Sequence, residues 1–594
     1  MSEAEPAQAR SADQEPAAAS GGPPPGELSA GTPHALQWWV KAPLDHGRGM
    51  TWRWGFNTPL LLIALHGVLA WVGRAPGILT RQDDARYLGL ANALRIGQFR
   101  DFMWPDAPLH HMYPPGYPAL LSVWITIGGG GFDWLVALHV ALSVATLALV
   151  FDAVRRVISP LITLTSLLIL ALNPWLLVRA GQVGSEGALG ICFALAVWGT
   201  VALPRGRKQF VLVIAAAAAA PLMRGSGIAL PAALVLHWLS ERRYRDAVIA
   251  GIVSLAVLAP LMWWVTHDPY AVVGSSYAAD LAATTNTDGG LLATLAFRVR
   301  SHALYYASQG IPVLLPLPTV AGTIVDNVAW TILVVAGLTV GSVTGFSRFR
   351  LGVLSVLATA ALLVVWVFQA NRFLEPLLPL VVVVLLLGVA RIAAVRGARV
   401  ATAAVLLVGG VVVAQGATLS VHSIARVLAC DRTGEFPDER CVSDDQRGFF
   451  RAARFVRDSL PLDARIVTLK SEPLNFYSGR ITVPYQRYTA LKDEPFWRAM
   501  SAIRTEYVLL GNLQHDERSR FAPLLARRCR SLALVRVFAL RTFLFRVDTN
   551  AEALVGPPAG AASAGAGSPA CDALQRYLAN TPEQARDESL MRSH

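Results

Sequence analysis

Residues 374–399 read Leu374-Glu-Pro-Leu-Leu-Pro-Leu-Val-Val-Val-Val-Leu-Leu-Leu-Gly-Val-Ala390, then Arg391-Ile-Ala-Ala-Val-Arg396-Gly-Ala-Arg399. A run this apolar reads as a membrane-spanning helix, and arginines at its end read as the anchor on the cytoplasmic side. Ten similar runs lie elsewhere: Phe56–Val72, Phe132–Val154, Leu161–Val178, Gly187–Leu203, Phe210–Met223, Ile228–Leu239, Ala247–Val265, Val328–Val343, Leu351–Phe368 and Val400–Leu419. The composition agrees. Of 594 residues 54% are hydrophobic and 15% charged, and the mean hydropathy is +0.45. Soluble chains carry about 25% charge, so the composition points away from a large water-soluble enzyme. The expected fold is a polytopic α-helical membrane protein of about eleven transmembrane helices with a C-terminal α/β domain. The runs near Pro221 and Pro231 are short of the roughly 20 residues a span needs and could form one broken or re-entrant unit.

The net charge of +12, from 52 Lys+Arg against 40 Asp+Glu, follows from topology and needs no nucleic acid. Residues 1–50 are expected to form a cytoplasmic tail, rich in Ala, Pro, Gly, Ser and Glu up to about Thr32. Such a composition is expected to stay disordered, and it carries no signal-peptide pattern. Lys41, Arg48 and Arg53 precede the first run. If all eleven runs cross, the clusters Arg155/Arg156, Arg205/Arg207/Lys208, Arg242/Arg243/Arg245, Arg348/Arg350 and Arg391/Arg396/Arg399 all fall on the cytoplasmic side. The long loops 73–118 and 267–327, and everything after Leu419, then fall outside, in the periplasm of a bacterial inner membrane. The short run Tyr117–Ile127 is expected to be a surface helix, because counting it as a span would expose every later cluster.

Residues 420–556 read as a periplasmic α/β domain. Strands are expected at Ile466–Leu469, Tyr507–Leu510, Leu532–Val537 and Thr542–Val547, and helices at Gln446–Leu460 and His515–Arg527. An Ala/Gly/Ser/Pro linker and a tail helix near Cys571–Leu578 fill residues 557–594. Cys192 lies in a span, whereas Cys430, Cys441, Cys529 and Cys571 share the exterior region. Four thiols in an oxidising compartment point to two disulfides with three possible connectivities. A local Cys430–Cys441 clasp and a Cys529–Cys571 tether are favoured.

The chemistry is expected in the first exterior loop, which begins Arg81-Gln-Asp83-Asp84-Ala-Arg86-Tyr87. A helix from Asp83 to Gly97 fits the cap chemistry at both ends, and the plainest role for Asp83 is that of an N-cap. Neighbours on a helix point about 100° apart, so one carboxylate could face a substrate while the other orients the site. The loop ends in His110-His111-Met-Tyr113-Pro-Pro-Gly-Tyr117-Pro118, a stiff aromatic turn suited to a membrane interface and to stacking on sugar rings.

A carboxylate pair followed by Arg-Tyr just outside the first span, then Tyr-Pro-Pro-Gly-Tyr-Pro, resembles the C-type membrane glycosyltransferases. These include the lipid A aminoarabinose transferases, the protein O-mannosyltransferases and the bacterial ArnT-like and Rgt-like enzymes. The resemblance extends to Asn173-Pro174, Ser185-Glu186, Met223-Arg224-Gly225 and Asn371-Arg372-Phe-Leu-Glu375-Pro-Leu-Leu-Pro379, and spans about Thr51 to Val547. It implies the C-type glycosyltransferase fold and a polyprenyl-phosphate sugar donor. It makes Asp83 the catalytic carboxylate and Asp84 its acidic neighbour. Tyr113 stands where aminoarabinose transferases usually carry lysine, which points away from that reaction and toward the broader ArnT-like group.

The physical logic runs the same way. A phosphodiester leaving group departs as an anion and needs cations, and the acceptor hydroxyl needs a base. Asp83 is the expected base for an inverting displacement. Arg86, Arg179, Arg224 and Arg372 sit at outer membrane ends where they could bind the lipid phosphate or simply anchor helices. Tyr87, Glu186 and Glu375 complete the expected binding set, Glu186 doubling as a helix-start acid. His110 and His111 could join an Asp on a divalent metal, although a solvated turn is the plainer reading. Tyr270, Tyr277, Tyr305 and Tyr306 mark the second loop as a candidate lid. Expected partners are the lipid-linked sugar, a lipid, glycan or protein acceptor, and membrane lipids. A lipid-linked sugar flippase and a non-catalytic envelope assembly factor are the competing readings.

Overall fold

The computed structural model describes residues 57–78, 83–105, 107–267, 290–318, 327–366, 368–484, 493–513, 517–539, 541–548 and 568–579. The N-terminal tail with Lys41, Arg48 and Arg53, the lid tyrosines Tyr270 and Tyr277, and nearly all of the linker lie outside the described residues.

Each of the eleven apolar runs forms helix. In chain order the first helices are α1 (Asn57–Val72), α2 (Asp84–Arg95), α3 (Gly116–Gly128), α4 (Phe132–Val157), α5 (Pro160–Ala171), α6 (Pro174–Ala180), α7 (Ser185–Ala202) and α8 (Arg207–Met223). They continue as α9 (Ala229–Ser240), α10 (Tyr244–Thr266), α11 (Gly290–Tyr305), α12 (Val328–Gly345), α13 (Arg350–Val365), α14 (Leu378–Ala394) and α15 (Ala398–Leu428). Among the described residues six helices are long and apolar enough to cross a membrane singly, and α5 with α6 makes a seventh, bent by 55°. The bend falls at Asn173-Pro174. Proline cannot donate into the preceding helix, and the Asn173 side chain restarts the next one by accepting the Leu176 N–H at 3.1 Å. The expected single span Leu161–Val178 is therefore two helices. The last span runs nine residues past the expected Leu419, to Leu428.

The two short runs near Pro221 and Pro231 are the arms of one helical unit. Helices α8 and α9 form an antiparallel hairpin, because Phe210 stacks on Trp238 at 5.5 Å and Arg205 reaches Glu241 at 3.4 Å. The closed end of the hairpin carries Arg224. At its open end Glu241 also meets Arg243 and Arg350, each at 3.8 Å, beside a cleft bordered by Val157, His237 and Arg348. The basic clusters on α4, α8, α9 and α13 thus gather at one end of the bundle, and Arg224 lies at the other.

Helix packing uses small residues. A Cβ on Gly341 would collide with the Val384 carbonyl and one on Gly388 with the Gly337 carbonyl, so α12 and α14 cross almost backbone to backbone. By contrast α10 buries only Ala247 and Ala250 and exposes Val248, Ile252, Leu255, Met262 and Trp263, a surface suited to lipid chains.

The C-terminal region comprises α16 (Asp444–Ser459), β1 (Arg465–Thr468), α17 (Ser471–Ser478), β2 (Ile481–Pro484), α18 (Asp493–Ala502), β3 (Tyr507–Leu510), α19 (Ala522–Arg527), β4 (Leu532–Phe538), β5 (Thr542–Val547) and α20 (Pro569–Ala579). The sheet order is β2-β1-β3-β5-β4, with β1 parallel to both neighbours and β5 antiparallel to β3 and β4. Strand β2 and helices α17 and α18 have no counterpart in the sequence reading; a four-residue Ile-Thr-Val-Pro strand is too short to show alternation. Disulfides join Cys430 to Cys441 and Cys529 to Cys571, the favoured pairs. The domain docks on the first loop. Tyr477 donates its hydroxyl to the Ile78 carbonyl at 2.7 Å, and Thr482 N–H donates to the Met103 carbonyl at 3.0 Å. One apolar cluster runs from Tyr87, Leu88 and Tyr117 through Phe449, Phe450 and Leu474. This docking fixes residues 470–477 against α2.

Candidate active site

Asp83 stands at the cap position of α2, yet its side chain makes no bond to the helix N–H groups. Its Oδ2 instead accepts from Arg372 Nη1 at 2.8 Å, and the Tyr113 hydroxyl also donates to it. The simple N-cap role is thereby replaced by an ion pair joining residues 289 positions apart. A quarter of the Asp83 side chain remains accessible. Burial by itself would raise its pKa; the charges of Arg372, Arg224 and Lys470 and the Tyr113 hydrogen bond outweigh it and hold the carboxyl at about 2. Asp84 points elsewhere. It is 2% exposed, and its Oδ1 accepts the Ala85 N–H at 3.0 Å. The two carboxylates therefore face different surroundings, as the helical geometry requires.

Around Asp83 the ends of several helices converge. Arg224, after α8, donates through Nη1 to Ser185 Oγ at 2.7 Å and to Glu186 Oε1 at 2.8 Å. Arg179, in the last turn of α6, lies 2.8 Å from Glu375, which opens the turn before α14. Tyr87 shares a hydrogen bond of 3.1 Å with Ser185. The structure thus brings Asp83, Tyr87, Tyr113, Arg179, Glu186, Arg224, Arg372 and Glu375 into one neighbourhood from segments spread over nearly 300 residues. Each arginine here is matched with a carboxylate, so an anionic ligand must compete for or share it.

Several expectations change. Arg86 is 6% exposed and faces inward, 3.6 Å from Asp101 and 3.5 Å from Glu472, under Trp104 and Tyr113. It is a junction between loop and domain, not an open phosphate ligand at a membrane end. Tyr87, Tyr113 and Tyr117 are at most 5% exposed because they stack on one another at 4.7–4.8 Å. They wall the site and offer no free face to a sugar ring. His110 and His111 are not a solvated turn. His110 is fully buried, donates Nδ1–H to Asp101 at 2.9 Å, and accepts the Tyr113 N–H at Nε2 at 2.7 Å. Burial lowers its pKa, in keeping with the neutral ring this geometry requires. Burial opposes ionisation of Asp101 too, but His110 and Arg86 hold it at about 2. His111 donates to the Trp264 carbonyl at 2.8 Å and stacks on that indole. Among the described residues no group of three or more His, Cys, Asp or Glu side chains could hold a metal ion. The cations around Asp83 also make its surroundings fit an anion better than a metal. The described part of the second loop is mostly helix, with Tyr305 donating to Asn371 at 2.7 Å.

The sequence reading missed the contribution of the C-terminal domain. Lys470 comes from the turn between β1 and α17, and Glu472 from the first turn of α17, which packs on α2. A faint signal existed, since Lys470 is one of four lysines in the chain, beside Lys41, Lys208 and Lys492, and directly follows an apolar strand.

No protein-family profile and no curated protein sequence matches the chain. Solved structures do. ArnT from Cupriavidus metallidurans in the apo state superposes with a TM-score of 0.50 at 16% identity, over 84% of this chain and 98% of that one. The same ArnT bound to undecaprenyl phosphate gives 0.50 at 15% identity, over 84% and 99%. The archaeal oligosaccharyltransferase AglB from Archaeoglobus fulgidus, with an inhibitory peptide and a dolichol-phosphate, follows at 0.47 and 12% identity, over 76% and 69%. The chain has the C-type glycosyltransferase fold, helical membrane module and C-terminal domain together.

Proposed function

We propose that the protein transfers a sugar from a polyprenyl-phosphate donor to an acceptor hydroxyl or phosphate, at the membrane face that carries the C-terminal domain. The observation that carries this reading is the Asp83–Arg372 ion pair at the meeting point of the first loop, the helix ends and the domain. Support comes from the fold shared with an ArnT that binds undecaprenyl phosphate. We place that face in the periplasm of a bacterial inner membrane, because the basic clusters gather at the other end of the bundle.

The chemistry follows from the pairing. The acceptor oxygen attacks the anomeric carbon, the bond to the phosphate oxygen breaks, and its electron pair leaves with the phosphate. Arg372 and Arg224 are placed to take up that charge. With Arg372 on Asp83, the carboxylate is too acidic to be an effective base. When Arg372 turns to the donor phosphate, Asp83 loses its nearest counter-charge while its burial persists, so its basicity rises where the acceptor proton must go. An acceptor that is already an ionised phosphate needs no such base, and Asp83 then orients it. Direct displacement inverts the anomeric configuration.

The test is transfer of label from a panel of polyprenyl-phosphate sugars into a bacterial envelope extract by the purified protein. Labelled lipid, glycan or protein of inverted configuration, made by wild type and absent with Asp83→Asn, is the expected result. No labelled acceptor from any donor, with the protein shown to be folded, contradicts it.

A further inference from the structure

We infer that the C-terminal domain completes the lipid-phosphate subsite by supplying Lys470, a cation that makes no direct ion pair among the described residues. This deepens the proposed function and rests on it. The membrane module's own cations are matched: Arg372 with Asp83, Arg224 with Glu186 and Arg179 with Glu375, each at 2.8 Å. Arg86, reaching Asp101 and Glu472, is committed to the interface between loop and domain. Lys470 differs. Among the described residues its ammonium makes no hydrogen bond and no ion pair within 4 Å, although its charge acts on Asp83 and is in turn felt from Glu472 and Glu517. It is only half-buried by surface, yet desolvation lowers its pKa. A desolvated ammonium is costly without an anion beside it.

Its position is not accidental to a mobile tail. Lys470 caps α17, whose Tyr477 is bonded to Ile78 and whose neighbour Glu472 meets Arg86 on α2. Two ties, one on each flank of Asp83, thus hold the domain's one lysine of this region on the side of the carboxylate. A phosphate monoester or diester entering beside Asp83 would give this ammonium the direct partner that Asp83, Glu472 and Glu517 do not, and a compact ammonium with three donors suits it as a point charge. The donor's phosphate is the ligand chemistry; its polyprenyl chain would lie against the helices, outside the domain. The soluble domain is therefore part of the donor site, and the site is incomplete without it.

The experiment measures binding of undecaprenyl phosphate, and of undecaprenol as the phosphate-free comparator, to the full chain in detergent. Wild type, Lys470→Met and Lys470→Arg are compared, with melting confirming that each is folded. The expected result is at least a tenfold weaker Kd for undecaprenyl phosphate in Lys470→Met, unchanged binding of undecaprenol, and recovery of most affinity in Lys470→Arg. Wild-type affinity in a folded Lys470→Met overturns the inference and leaves the proposed function standing. Equal weakening toward both lipids also overturns it, since that marks a packing role. Absence of wild-type binding to the phosphorylated lipid overturns both together.

Discussion

Asp83 and Asp84 are adjacent in sequence and opposite in circumstance, and the difference is measurable. Asp83 faces the converging arginines with a quarter of its surface open, whereas Asp84 is sealed against its own backbone. Asp83→Asn is expected to lower turnover at least about a hundredfold, within the range general base catalysis contributes, with little change in melting temperature. Asp84→Asn is expected to cost less in turnover and more in stability. Steady-state rates and melting curves of both variants check this, and equal losses of turnover would reverse the assignment. The same carboxylates set an acid limit. Asp83 and Asp101 are both held at about 2, below an ordinary carboxyl near 3.8. A depressed folded pKa contributes stability that is present above pH ~4 and is lost as pH falls through ~2, on the order of 2 kcal/mol for a buried group such as Asp101. Melting temperature should therefore decline between pH 4 and 2, and the decline should be shallower in Asp101→Asn. A pH-independent melting temperature across that window would contradict the pairings.

At the scale of elements, the helices were legible in the sequence as apolar runs and their ends were not. Length alone could not show that Pro174 bends one span or that Phe210 stacks on Trp238 to make a hairpin, because both depend on partners distant in sequence. The close crossing of α12 and α14 is equally tertiary. Gly388→Ala should force the two backbones apart and destabilise by about 1–3 kcal/mol, whereas Gly410→Ala, with open space around its position, should be neutral. Thermal melting of the two variants in detergent decides it; equal melting temperatures would mean that the crossing is looser than described. The disulfide that ties α20 closes a 42-residue separation. On loop entropy its loss in Cys529→Ser should cost about 4 kcal/mol, read as earlier unfolding of the C-terminal domain and proteolysis ahead of Pro569.

For the whole molecule, the parts legible beforehand were those written locally: apolar runs, basic clusters, the Asp-Asp loop and the spacing of cysteines. What stayed hidden was the docking. Nothing near Glu472 or Tyr477 in sequence indicates that they meet Arg86 and Ile78, almost 400 positions earlier, since a shared apolar cluster makes that contact and no motif does. Docking also explains why Arg86, His110 and the tyrosines are buried framework and not open ligands. Tyr477→Phe should loosen the joint by about 1 kcal/mol, the worth of one buried hydrogen bond. It should weaken donor binding more than it lowers the melting temperature of the membrane module; an unchanged donor affinity would separate docking from function.

On the proposed function, this fold breaks a sugar–phosphate bond with Asp83 at the centre of the reaction. The most direct test of that reading is the release of free polyprenyl phosphate from a panel of polyprenyl-phosphate sugars, supplied with envelope extract to purified wild type and to Asp83→Asn. Release by wild type and not by Asp83→Asn is the predicted result. Equal release by both would take Asp83 out of the reaction, and no release from any donor by folded wild-type protein would contradict the glycosyltransferase account itself.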